Sequence, residues 1–128
     1  MSYELHHGDA ESVLKSFESG CIDLTVTSPP YDNLRDYGKG FDAQTFQWKP
    51  IIKELYRVTA VGGVVVWVVA DATIKGSETG TSFRQALWAM ECGFNLHDTM
   101  IWNKKSFTSP QSVRYPNTFE YMLSLIHI

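Results

Sequence analysis

The sequence has no apolar run approaching the ~18 residues that a membrane-spanning helix needs, so a soluble protein is expected. Cysteine is scarce: Cys21 and Cys92 lack the CxxC spacing of a zinc or redox site, and no secretory leader precedes them. Reduced, packed thiols of a cytoplasmic protein are expected. There is no internal repeat, low-complexity tract or linker, which leaves one domain in 128 residues. That is enough for a core but small for a chain holding both a cofactor and a macromolecule. Positive charge is not in excess either, since the net charge is −3, whereas phosphate binding usually shows as a basic patch. Basic residues cluster only locally, at Lys104, Lys105 and Arg114. His6, His7 and His97 have no partners at metal-ligand spacing, so no metal is expected and they read as structural or exposed.

What is present is a folding composition, 44% apolar and 13% aromatic. "YELHH" predicts a short strand. "GDAESVLKSF" predicts a helix capped by Asp9 and closed by Gly20, with Val13, Leu14 and Phe17 at helical spacing. "CIDLTVTS" is short and β-branched and predicts a buried strand. Residues 32–43 predict a loop and Thr45 to Val58 a helix that starts late or bends at Pro50. From Val64 to Ala70 every position is apolar, which predicts a central parallel strand covered on both faces. Residues 71–80 predict a loop, and "TSFRQALWAMECGF" a helix stopped by Gly93. "LHDTMIW" and "FEYMLSL" predict two more strands. The order β-α-β-α-β-α-β-β implies an α/β, doubly wound, mostly parallel sheet with one antiparallel edge pair.

The distinctive stretch is "TSPPY", residues 27–31. Prolines lack a backbone N–H and push the preceding residue into an extended conformation, so the strand must stop at Ser28. The result is a stiff ledge that presents the Ser28 hydroxyl, the Pro29 carbonyl and the Tyr31 ring where open α/β sheets place their ligands. With "GDAESVL" ahead of it, and "ELYRVTAVGGVVVWVVAD" and "HDTMIWNKK" behind, "TSPPY" resembles the catalytic motif of the DNA amino-methyltransferases (N4-cytosine or N6-adenine). The resemblance runs from about Leu5 to Met122. It implies a Rossmann-like methyltransferase fold, present in part, with S-adenosylmethionine as cofactor and double-stranded DNA as partner.

The chemistry accounts for these residues. An exocyclic amine is a poor nucleophile because its lone pair is delocalised into the ring. Acceptors at Ser28 and Pro29 would turn that lone pair toward the methyl donor, with Pro30 stiffening the ledge. The base must leave the duplex to react, and Tyr31 offers a face for it to stack on. Asp9 has two compatible readings: a helix cap, or by resemblance a partner of the cofactor's adenine. Asp71, closing a strand at the same sheet edge, is a further cofactor candidate. Arg35 and Tyr37 could contact DNA phosphates or fill the gap left by a flipped base, and Lys104 and Lys105 are DNA-binding candidates. Trp67 reads as core, and Trp102 as core or pocket wall.

The glycine-rich "F-x-G-x-G" turn that resembling methyltransferases carry is not in the sequence, and Gly62 and Gly63 precede a strand rather than follow one. Residues 1–122 are therefore expected to be the catalytic half of a longer protein whose C-terminal half holds that turn. Leu123 to Ile128, "LSLIHI", resembles the translation of a transposon-end sequencing adapter and is set apart as a non-native tail. Ser28 favours N4-cytosine over N6-adenine as target, in a bacterial or phage setting of restriction-modification or DNA protection. The rivals are an RNA or protein amide methyltransferase and a non-catalytic nucleic-acid-binding module.

Overall fold

The structure, a computed structural model, describes residues 2–30, 46–105 and 118–128. Asp9 starts α1 (Ala10–Lys15), its carboxylate accepting from the Ser12 backbone N–H at 3.0 Å as an N-cap does. The helix is shorter than expected. It ends at Lys15 with Ser16 as C-cap, and Gly20 (φ 69) instead turns the chain into β1 (Ile22–Thr27). α2 (Trp48–Val58) starts late rather than bending: Pro50 is its third residue, where a missing N–H removes no intrahelical bond.

α2 runs directly into β2 (Thr59–Val69). Gly63 has to be glycine there, because a Cβ would lie 2.8 Å from the Ala60 carbonyl oxygen and 3.1 Å from that of Asp23. The predicted loop at 71–80 contains a small hairpin, β3 (Thr73–Ile74) and β4 (Ser77–Glu78), turning at Lys75 and Gly76, both with positive φ. α3 (Thr81–Cys92) stops at Gly93 as expected, and β5 (Asn95–Asn103) and β6 (Phe119–Ile126) follow.

The main sheet has the order β1-β2-β6-β5. β1 and β2 are parallel, and β6 is antiparallel to both its neighbours, so β1, β2 and β5 share one direction and β6 alone is reversed. The antiparallel pair β5–β6 forms one edge of the sheet, as the sequence predicts. The strand expected at "YELHH" does not form. Its alternation is strand-like, but a strand needs a ladder partner, and residues 2–7 have none among the described residues and are exposed.

One sheet face carries Val65, Trp67, Val69, Leu123 and Leu125, which pack against Ile51, Ile52 and Leu55 of α2 and Ala86 and Ala89 of α3. The valine, leucine and isoleucine side chains among them contribute about 1.5–3 kcal/mol each. Leu14 of α1 joins the same cluster. The other face carries Leu24, Val26, Val64, Val66, Val68, Met100 and Trp102 by register. Among the described residues no helix contributes to a core there, and Leu24 and Val26 are 60% and 65% exposed. Two expectations are corrected among the described residues: β1 is not buried, and β2 is central but has no helix covering its second face.

Candidate functional site

β1 ends at Thr27, and Ser28, Pro29 and Pro30 follow without secondary structure, Ser28 exposed and Pro29 buried. These three residues form one wall of a cleft of about 440 Å³. The rest of its lining comes from Thr25 and Thr27 of β1, Trp67 of β2, Ile51 and Leu55 of α2, Phe46, and His6, Gly8, Ala10, Val13 and Leu14 in and before α1. The lining is mostly carbon with a few hydroxyls, as small-molecule sites are. β1 and α1 thus bring Gly8 and Ala10 of "GDA" and the three residues of "SPP" to one cleft.

Gly8 and Ala10 on the cleft wall flank Asp9. Both of Asp9's hydrogen bonds, from the Ser12 N–H and hydroxyl, reach Oδ2 at 3.0 Å. Oδ1 accepts none among the described residues. The bonds from Ser12 hold the Asp9 carboxyl below its ordinary value of 3.8 and keep it ionised. Capping and ligand contact can therefore coexist at this residue.

Asp71 lies at the same sheet edge, beyond the end of β2, and is almost buried. Its Oδ1 accepts from the Ser82 N–H at 2.8 Å and from the Thr79 hydroxyl at 3.4 Å, and its Oδ2 accepts from the Ser82 hydroxyl at 2.5 Å. It supplies the cap that Gly80, with no side chain, cannot give α3. Lys104 and Lys105 follow β5, separated from β1 by β2 and β6. The Lys104 ammonium pairs at 2.5 Å with Glu120, a carboxylate only 2% exposed that no sequence pattern singles out. Lys105 is exposed. Tyr31, Arg35 and Tyr37 lie outside the described residues, as does Arg114. Trp102 sits on the sheet face away from the cleft, whereas Trp67 serves both core and cleft.

His6 is a further residue that sequence reasoning misses. It lines the same cleft as Ser28, with its ring 5.1 Å from that of Phe17, edge to face. Metal-ligand spacing is the wrong test for a lone histidine, and its place two residues before "GD" is the available signal. No group of three or more metal-ligating side chains occurs among the described residues.

A mixed α/β sheet with the Ser28–Pro30 segment and its cleft at the carboxyl end of β1 belongs to the open α/β class, whose ligands lie at that edge. The family described as DNA methylase, which joins the N6 and N4 methyltransferases, matches residues 22–126, and the chain belongs to that family. It is 61% identical over 101 residues to the orphan methyltransferase M.BamHII of Bacillus amyloliquefaciens, a match covering 79% of this chain and 37% of that protein. It is 32% identical over 126 residues to the type II beta methyltransferase M.BslI of a Bacillus species, covering 89% of this chain and 14% of that one. The crystal structure of TTHA0409 from Thermus thermophilus, complexed with S-adenosyl-L-methionine, superposes with a TM-score of 0.77 at 28% identity over 98% of this chain and 54% of that one. The chain thus spans well under half the length of these two curated relatives and about half of that structure.

Proposed function

We propose that this chain is the catalytic half of a DNA methyltransferase that modifies the exocyclic amine of cytosine at N4. The observation that carries the reading is the single cleft joining the Ser28–Pro30 ledge to the Gly8–Ala10 wall. Ser28 and the Pro29 carbonyl accept the two amine hydrogens and aim the lone pair, while Pro30 holds the ledge rigid. Tyr31 stacks on the flipped base. The cofactor is S-adenosylmethionine, which supplies an electrophilic methyl group. In this half, the spare Oδ1 of Asp9 fits the donor's adenine side, and Asp71 has the weaker case because both its oxygens already bond to other groups. DNA contacts fall to Arg35, Tyr37 and Lys105.

Residues 1–122 form this catalytic half, partnered by a C-terminal half with the glycine-rich turn, in a cytoplasmic bacterial or phage protein. The apolar sheet face that no described helix covers and the greater length of the relatives support this. Leu123–Ile128 is then a foreign tail occupying a strand position. By the same reading, residues 1–128 alone transfer no methyl groups.

The test is methyl transfer from labelled S-adenosylmethionine to unmethylated genomic DNA by the full-length protein, followed by nucleoside analysis. N4-methylcytosine is expected, and N6-methyladenine would reassign the base. Ser28→Ala should lower the rate about 10²- to 10³-fold with donor binding kept, as for loss of one preorganised polar contact to a transition state. An unchanged rate would sink the assignment of Ser28.

A further inference from the structure

Ser82, Gln85, Ala86 and Ala89 are the buried positions of α3, and a surface helix ordinarily turns polar residues outward. The outward side of α3 instead carries Phe83, Leu87 and Met90, 54%, 60% and 49% exposed. Steps of four and then three residues align them in one stripe. The other exposed positions of this helix are Arg84 and Glu91, three residues before Leu87 and four after it. Neither forms an ion pair among the described residues. The Phe83 ring lies 5.8 Å from that of Tyr121, beside a cavity of about 100 Å³ that Phe83, Leu96, Tyr121 and Leu123 help to line. None of the described residues lining the Ser28 cleft belongs to α3, and the uncovered sheet face lies across the sheet from it.

An apolar stripe rimmed by charge marks a contact with another molecule. Arg84 and Glu91 cancel, which favours neither DNA nor an anionic membrane. They stand at opposite ends of the stripe. Two α3 helices packed antiparallel about a two-fold axis beside Leu87 therefore bring each Arg84 to the partner's Glu91, Leu87 to the partner's Leu87 and Phe83 to the partner's Met90. We propose that the protein forms a two-fold homodimer through the outer face of α3, with the Phe83–Met90 stripes covering each other and two Arg84–Glu91 ion pairs fixing the antiparallel register. The interface takes no residue from the Ser28 cleft, so it stands apart from the function proposed above.

The test is sedimentation velocity of the full-length protein over a concentration series, in which a reversible dimer is expected. Leu87→Lys should weaken association at least about tenfold. Arg84→Glu and Glu91→Arg each set like charges together twice across the axis and should weaken it about three- to tenfold. The two swaps combined should restore the dimer. All three side chains are exposed, so far-UV circular dichroism should be unchanged in every variant. A monomer at every concentration overturns the proposal. So does a dimer indifferent to Leu87→Lys, which would place the contact elsewhere, such as on the uncovered sheet face. Single swaps without effect, or a combined swap that fails to restore association, overturn the antiparallel pairing of α3.

Discussion

The indole Nε1 of Trp67 donates to Gln85 Oε1 at 2.9 Å, and both residues are 2% exposed. This bond ties a residue lining the Ser28 cleft to α3 through the core. Gln85→Leu would leave a buried N–H without a partner, a loss of about 1–3 kcal/mol. Urea denaturation should show that loss, and Trp67→Phe combined with Gln85→Leu should recover part of it. An additive double variant would mean that the bond carries no specific energy.

The Lys104–Glu120 pair makes a second prediction, because two neighbouring lysines should behave differently. Lys104→Ala strips the counter-charge from a buried carboxylate and should destabilise the fold by about 1–3 kcal/mol, with Glu120→Gln in the same chain compensating. In the full-length protein, Lys105→Ala should instead lower the salt dependence of DNA binding by about one unit of log-log slope, with stability unchanged. A loss of slope on replacing Lys104 would restore that residue as a phosphate contact.

Gly93 and Gly62 separate strain from collision. Both have positive φ, 123° and 84°, but a Cβ on Gly93 would lie 2.6 Å from the Tyr56 ring, while one on Gly62 meets nothing within 4 Å. Gly62→Ala should lose about 1–2 kcal/mol of stability to backbone strain, and Gly93→Ala clearly more. Equal thermal shifts would show that the Tyr56 ring yields at no energetic expense.

Asp9 gives a prediction in pH. Its folded carboxyl lies below 3.8 because of the two bonds from Ser12, so the cap is present above that value and is lost as pH falls through the lower folded value. Asp9→Asn keeps a capping oxygen without the charge. It should hold α1 at neutral pH and remove this part of the acid response, as followed by circular dichroism.

Deleting Leu123–Ile128 tests the last strand. Leu123 and Leu125 are 4% and 2% exposed and pair in register with Trp67 and Val65. Each large-to-small change there should lose about 2–5 kcal/mol, so the truncated chain should fail to fold cooperatively. A native-like melt after truncation would show that this segment is not part of the core.

Much of the fold is legible in the sequence because its signals are local. Asp9, Gly93 and the two prolines act within a few residues of themselves, so the start of α1, the end of α3 and the stop of β1 follow from them. Burial of β1 and the covering of β2 do not follow, because an apolar run specifies that a strand wants neighbours, not which neighbours it has. The Glu120 partner of Lys104 and the cleft position of His6 depend on strands and turns meeting across the sheet, which periodicity does not encode. For Tyr31, Arg35 and Tyr37, the sequence remains the whole basis of the assignment.

The reversed strand β6 lies between β2 and β5 although it comes last of the three along the chain. Val64 must therefore wait for Ile126 before its ladder can close. On the ribosome β2 emerges after its partner β1 but long before β6, and the β2 edge that takes β6 stays open while α3 and β5 are being made. Sequence-distant pairing of this kind slows folding and lengthens the interval in which β2 can join the wrong edge.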